Sequence, residues 1–260
     1  MYSDYHVHSF FSFDCDEKLD NIFEKAINLN MKQIAITDHQ DFNWPVAGES
    51  PYINIEEYSQ KLNFYKNKYN NKLTILKGIE LGLMKGNAAL CQNLINSSMF
   101  DFIIGSCHIV DNMDPYYSDF WKNRDDRTSF ELYFKTLLAG LKDFNGIDTL
   151  GHMDYIVRYS PNSDKNYSVF DYTDIVDEIL KYIILHDIKL EINTANLAKG
   201  FRFPNPHTDI IKRYRELGGI YVTVGSDAHI AQSIGYGFDM AKAIINKYGL
   251  AVFEKSNPMQ

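Results

Sequence analysis

The sequence predicts an α/β fold in which parallel strands alternate with helices and close into a barrel of seven strands. Three observations predict it. Short runs rich in Ile, Val, Leu and aromatic residues recur seven times, as strands buried on both faces do. Segments with helical periodicity fall between them, which is the alternation of right-handed crossovers. Metal-ligand residue types stand at or just past the carboxyl end of every run. In an open sheet such residues gather at one crevice, whereas a closed ring brings all seven strand ends to one mouth.

The first run, 5–7, lies in DYHVHS and presents His6 and His8. Side chains two apart on a strand share a face, so the two imidazoles stand roughly 6–7 Å apart at the backbone. LDNIFEKAINLN then places Leu19, Ile22, Phe23, Ala26, Ile27 and Leu29 mostly on one helical face. The run 33–37 ends on Asp38 and His39, and IEEYSQKLNFYKNKY repeats the helical pattern with Ile55, Tyr58, Leu62 and Tyr65. Runs 74–78 and 102–105 lead to Glu80 and His108, and a helix is expected over 129–144. Run 149–150 precedes His152, and DIVDEILKYIILHD predicts the next helix. Run 189–193 carries Glu191 and Asn193 and precedes the helix PHTDIIKRYRELG, which Gly218 stops. Run 221–225 leads to Asp227 and His229, and DMAKAIINKYG closes the alternation. Two long stretches interrupt it, VDNMDPYYSDFWKNRDDRTS and RYSPNSDKNYSVFDYTD. Loops of this length are lids, binding loops or disordered segments.

The chain of 260 residues contains no evident linker, so residues 1–260 are taken as one domain. The formal charge of −8 lacks the basic footprint of a nucleic-acid binder. Cys15, Cys91 and Cys107 show no paired spacing, and the polar start MYSDYHVHS shows no signal-peptide core. No run is apolar enough to span a membrane. A cytoplasmic protein is the expectation. An acidic exterior neither requires nor forbids a dimer.

Six of the eight histidines fall in the strand-end set: His6, His8, His39, His108, His152 and His229. Any one of them alone reads as a hydrogen-bonded loop residue; the joint pattern points to metal. With Asp16, Glu80 and Asp227 they are too many ligands for one tetrahedral ion and suffice for two or three. Imidazole and carboxylate together suit Zn, Fe or Mn, and such ions about 3.5–4 Å apart can hold a phosphoryl group between them. Asp38 is either a ligand or a partner that orients another ligand's ring, with His39 the preferred ligand. Asp4, Asp14 and Asp154 read as supporting residues. Cys15 and Cys107 read as small buried side chains.

In this order and spacing, DYHVHS, IAITDH, GIELG, GSCH, GHMD and GSDAH resemble the polymerase-and-histidinol-phosphatase (PHP) superfamily of metal-dependent phosphoesterases. The resemblance covers nearly the whole chain. It implies a distorted (β/α)7 TIM-like barrel with a cluster of three ions at the strand ends. One ion would be held by His6, His8, Glu80 and Asp227, and a second by Glu80, His108 and His152. A third would be held by His39, His229 and a residue after the first motif. Many members have histidine at that last position; this chain has FSFDCDE, so Asp16, or else Asp14, must substitute. A carboxylate there would lower zinc preference and admit iron or manganese.

Within the superfamily GSCHIVDN, GHMDYIVRY and EINTANLAKGFRFPNP resemble the stand-alone histidinol-phosphate phosphatases. GSCHIVDN departs from the more usual valine after the serine and glycine after the aspartate. The resemblance implies hydrolysis of L-histidinol phosphate by a metal-bridging hydroxide, with Glu80, Asp227 and His229 as the catalytic group. Arg158 is the expected phosphate contact, followed by Lys199 and Arg202. Arg124 and Arg127 could reach in with the long loop. Asp154, Glu191 or loop carboxylates are candidates for the substrate's cationic end, and Tyr155 or Phe201 for its ring. The alternatives are a phosphoesterase of other small monoesters, nucleotides or short nucleic acids, and a non-catalytic metal-binding domain. The expected partner is a small phosphorylated metabolite, with no nucleic acid and no membrane.

Overall fold

The computed structural model describes residues 3–97, 99–143 and 145–256; the expected last residue of the helix over 129–144, Phe144, lies outside them. The strands in chain order are β1 (Ser3–Val7), β2 (Gln33–Ile36), β3 (His39–Gln40), β4 (Thr74–Gly82), β5 (Phe102–Ser106), β6 (Thr149–Leu150), β7 (Lys189–Asn193), β8 (Tyr221–Gly225) and β9 (Ala251–Val252). The helices are α1 (Leu19–Asn28), α2 (Ile55–Tyr69), α3 (Ala88–Asn96), α4 (Asp126–Asp143), α5 (Thr173–Leu185), α6 (Ala195–Ala198), α7 (Thr208–Glu216) and α8 (Phe238–Tyr248).

All strand pairs are parallel, in the order β1-β2-β4-β5-β6-β7-β8-β9, with β3 pairing β4 as a continuation of β2. The sheet closes on itself where β8 ends. Asp227 N–H donates to the His6 carbonyl at 2.8 Å, and His8 N–H donates to the Ala228 carbonyl at 2.9 Å. The expected ring of seven is therefore present as a distorted barrel, and β9 is an addition beside the start of β8. Beyond β9, Phe253 packs against Tyr5, Ala35, Leu76, Phe102 and Ile104 inside the ring. Lys255 N–H donates to the Tyr5 hydroxyl at 2.9 Å, so the segment after β9 plugs the barrel floor.

The outer layer follows the apolar stripes. Leu19, Ile22, Phe23 and Ala26 of α1 are all buried, the spacing of one helical face. Helix α8 ends at Gly249 in the left-handed conformation, φ 63°, where a side chain would be strained. Helix α3 is absent from the sequence expectation because its stripe is thin: only Cys91 is fully buried.

Two features of the strands position the site. Strand β4 runs to Gly82 rather than 78, with all residues after Thr74 buried, so Glu80 projects from within the strand into the ring. In β1 the chain advances from Asp4 to Val7 while its partner advances only from Ile34 to Ile36. This bulge lets Tyr5 fill the floor while His6 also faces inward. No helix among the described residues is long and apolar enough to cross a membrane, and the three cysteines are free and buried.

Candidate metal centre

Glu80 stands at the centre of a ring of histidines. Its Oε2 lies 3.2 Å from His6 Nε2, 3.5 Å from His8 Nε2 and 3.1 Å from His39 Nδ1. Its Oε1 lies 3.2 Å from His108 Nε2 and 2.9 Å from His152 Nε2. Four strand ends, β1 giving two, thus deliver five imidazoles to one buried carboxylate. Burial raises the Glu80 pKa, and His6, His108 and His39 overturn that effect and hold it well below the usual range. Asp227, at φ 53° just past β8, places Oδ1 3.3 Å from His8 Nε2 and 3.8 Å from His6 Nε2.

Several rings are fixed from behind, which sets the nitrogen they offer. His6 Nδ1 bonds Glu191 Oε1 at 2.7 Å, and His108 Nδ1 bonds Asp41 Oδ1 at 2.9 Å. His8 Nδ1 bonds the Ser12 hydroxyl at 3.0 Å. Ser12 in turn donates to Asp38, whose carboxylate also takes the N–H and hydroxyl of Ser9. Asp38 is therefore the anchor of the turn after β1. Asp4 does the same for the turn after β8, accepting from the N–H and hydroxyl of Ser226. Burial pushes both aspartates up to about 6, against these hydrogen bonds. Glu191, one of several candidates for the substrate's cationic end, instead holds His6 and accepts from His152 N–H at 2.8 Å. Asp41 was missed, although TDHQD repeats the two-residue spacing of His6 and His8. Close packing also constrains the backbone: a Cβ on Gly225 would collide with the His6 Cβ and Glu191 Oε1.

The outer edge is looser. His229 Nε2 lies 3.2 Å from Asp14 Oδ2, and His39 Nε2 lies 3.7 Å from the same oxygen. The early acidic residue at this edge is therefore Asp14, which corrects the expectation of Asp16. The buried Cys15 thiol, 3.2 Å from the His229 carbonyl, pins the loop and leaves Asp16 exposed outside the cavity. Burial raises the Asp14 pKa, but hydrogen bonds from His229 and His39 hold it well below its ordinary value. Burial depresses His39, yet Glu80 and Asp14 lift it to about 9. Burial, His229 and His39 together push His8 down to about 3, which keeps its imidazole neutral.

A cavity of about 580 Å³ opens over this cluster, walled by Trp44, Tyr116, Tyr117, Tyr155, Tyr159 and Ile230 among others. Arg158 and Lys199 are the basic residues in its wall. Arg158 is side-chain buried and reaches Asp227 Oδ2 at 3.3 Å, while Lys199 lies over the Tyr159 ring at 5.2 Å. Arg202 is exposed and outside the wall, a second correction, because the chain turns outward at Gly200. Arg124 pairs with Asp111 and stacks on Phe120 instead of reaching in; Arg127, Phe201 and Asp154 are also outside the wall. The first long loop is packed through Phe120 and Trp121 and joined to the 43–50 segment by the Tyr117 hydroxyl on Glu49. The second is tied down where Asp126 accepts from Ser160, Asn162 and Asn166.

The donor set fits divalent ions. His6 Nε2, His8 Nε2, His39 Nδ1 and Glu80 Oε2 are buried without a hydrogen-bond partner, an arrangement that costs roughly 1–3 kcal/mol per group unless a cation satisfies it. Ligand atoms within 4.8 Å of one another form overlapping sets: His6, His8 and Glu80; His6, His152 and Asp227; His39, Glu80 and His108; His8, His39 and His229. The overlap around Glu80 and His8 accommodates more than one ion. It differs from the implied grouping in bringing His39 to Glu80 and His108.

The family model of the PHP domain matches residues 4–195. The chain is 36% identical over 257 residues to a protein of Clostridium acetobutylicum named probable histidinol-phosphatase, covering 98% of each. It is 30% identical over 247 residues to the histidinol-phosphatase of Lactococcus lactis, covering 95% of this chain and 91% of that one. The crystal structure of the Lactococcus lactis histidinol phosphate phosphatase, complexed with zinc, L-histidinol and phosphate, superposes with a TM-score of 0.89 at 29% identity. The match covers 97% of this chain and 95% of that chain.

Proposed function

This chain belongs to the PHP domain family, and we infer that it is a metal-dependent histidinol-phosphate phosphatase, releasing phosphate from L-histidinol phosphate in histidine biosynthesis. The observation that carries the reading is the ring of five imidazoles on Glu80 beneath a cavity of small-metabolite size. The full-length likeness to named histidinol-phosphatases supplies the substrate. Residues 1–260 are read as one phosphoesterase domain, and the unpaired cysteines favour a reducing cytoplasm.

His6, His8, Asp14, His39, Glu80, His108, His152, Asp227 and His229 would hold two or three divalent ions, Zn, Fe or Mn by ligand type. Bound there, such ions neutralise phosphoryl charge and acidify water. The protein's own groups do the rest. Glu191, Asp41 and Ser12 keep the imidazoles of His6, His108 and His8 aimed inward. Arg158 presents its guanidinium at the cavity wall beside Asp227, where it can pair with a phosphate oxygen. Lys199 lines the same wall. His229 stands at the open edge with Nδ1 on the Asp227 carbonyl, and with Asp227 and Glu80 forms the proposed catalytic group through the ions these residues would hold. Two basic residues do not make the track a polynucleotide needs, which favours a small monoester.

The test is phosphate release from L-histidinol phosphate by protein stripped with a chelator and reloaded separately with zinc, manganese or iron. Activity lost on stripping and restored by at least one metal is expected. Full activity in protein shown to be metal-free would refute the reading.

A further inference from the structure

Arg158 is held by an unusual set of partners. Its Nε donates to Asn196 Oδ1 at 2.9 Å, and its Nη2 donates to Asn205 Oδ1 at 3.0 Å and Asn193 Oδ1 at 3.4 Å. Its Nη1 donates to Asp227 Oδ2 at 3.3 Å, and the group lies 5.5 Å from the Tyr155 ring centroid. A guanidinium has five N–H donors; these four bonds leave its cavity side to the Tyr159 hydroxyl, a neutral partner in the same wall that an anion can displace. Three of the four acceptors are neutral amides. They fix the plane of the group without cancelling its charge, which stays available to an anion in the cavity.

An amide is held with its oxygen toward the guanidinium when its nitrogen has an acceptor on the other side. For Asn205 that partner is Asp154. The Asn205 Nδ2 donates to Asp154 Oδ1 at 2.6 Å. Asp154 also accepts from His207 N–H at 2.8 Å and the Tyr167 hydroxyl at 3.2 Å. A carboxylate surrounded by donors cannot face the Asn205 oxygen, so it dictates which end of the amide meets Arg158. Asp154 is fully buried and does not line the cavity.

We propose that Asp154 and Asn205 are positioning residues that act on phosphate through Arg158. Asp154 orients the Asn205 amide, Asn205 orients the guanidinium, and the guanidinium presents its cavity side to the phosphoryl group. The inference rests on the proposed phosphatase reading for the identity of the anion.

The test measures binding of inorganic phosphate to zinc-loaded protein by calorimetry, beside KM and kcat for L-histidinol phosphate. The variants are Asp154→Asn, Tyr167→Phe, Arg158→Lys and the double variant Asp154→Asn/Arg158→Lys. Asn at 154 can donate as well as accept, so the Asn205 amide loses its fixed orientation. Phosphate Kd and KM should both rise about tenfold in Asp154→Asn, the scale of one hydrogen bond to a charged group, with bound zinc unchanged. Tyr167→Phe, which removes a different partner of Asp154, should leave both constants as in wild type. In the Arg158→Lys background Asp154→Asn should add no further loss, because residues acting through one another are non-additive. If Asp154→Asn does not fold, Asn205→Ala takes its place in the same cycle with the same expectations. Unchanged phosphate affinity in a folded, zinc-loaded Asp154→Asn protein overturns the proposal, as does full additivity with Arg158→Lys. A wild type that binds phosphate yet hydrolyses no histidinol phosphate refutes the substrate reading and leaves this inference standing.

Discussion

His6, His8 and Glu80 are sealed at the strand ends, with side-chain exposures of 0, 0 and 1%, whereas Asp14 and His229 stand on loops at 37 and 33%. Both sets are rings and carboxylates within bonding distance of one another, but they are built by different means. The sealed half is held by hydrogen bonds from behind: Glu191 on His6, and Ser12, itself fixed by Asp38, on His8. The open half relies on one loop carboxylate shared by His39 and His229. An ion in the sealed half must break a supported shell to leave. An ion at the outer edge needs only a loop to shift. The contrast predicts one exchangeable position and a firmly held remainder.

The most severe way to break the contrast is to remove the group both halves share. Glu80→Gln should empty the sealed half and lower kcat/KM by about a thousandfold or more, on the order of 4 kcal/mol of transition-state stabilisation; metal analysis with steady-state kinetics checks it. Retention of full metal would contradict the central role given to this carboxylate. Glu191→Gln touches only the support of His6. A loss of about 10- to 100-fold in metal affinity is expected, measured by competition with a chromophoric chelator. Asp14→Asn should act on the open half alone. Bound metal should fall by one ion per chain and activity by about tenfold, while Asp16→Asn should change neither. An Asp16 effect equal to that of Asp14 would contradict the loop geometry.

The smallest expected effect is on the pH dependence of the metal-free protein. The folded pKa of His39 is raised from 6.5 to about 9, so its protonated form contributes stability below pH 6.5 that is lost as pH climbs through 9. His8 is depressed to about 3, so its contribution is present above pH 6.5 and lost as pH falls toward 3. Thermal melts of stripped protein should therefore show Tm declining from pH 6.5 to 9, and His39→Asn should make that decline shallower, with the raised His6, His108 and His229 sustaining the rest. With metal bound the alkaline trend should reverse, because a coordinating imidazole must be deprotonated.

The strand ends were legible in the sequence because period-two alternation places ligand residues by count. His6, His8, His108, His152 and Asp227 follow from where a short apolar run stops, and Glu80 from the same alternation continued two residues further along β4. Loop positions carry no such period. Asp14 and Asp16 are equivalent in FSFDCDE until the buried Cys15 decides which one turns inward. Arg202 fails for the same reason, as the turn after α6 carries it to the surface. Glu191 and Asn193 stood out as strand-end residues, yet their tasks of holding His6 and Arg158 depend on partners 185 and 35 residues away. The two-residue strands β3 and β9 and the one-turn α6 are too short for any periodic signal.

The most direct measurement is kcat/KM for L-histidinol phosphate beside nucleotide, sugar and aryl monoesters, on protein whose bound metals have been counted. A preference of about 100-fold or more for histidinol phosphate, roughly 2.7 kcal/mol of transition-state discrimination, is the predicted result. A flat profile, or a preference for nucleotides, would contradict the substrate assignment while leaving the barrel and its metal-binding ring in place.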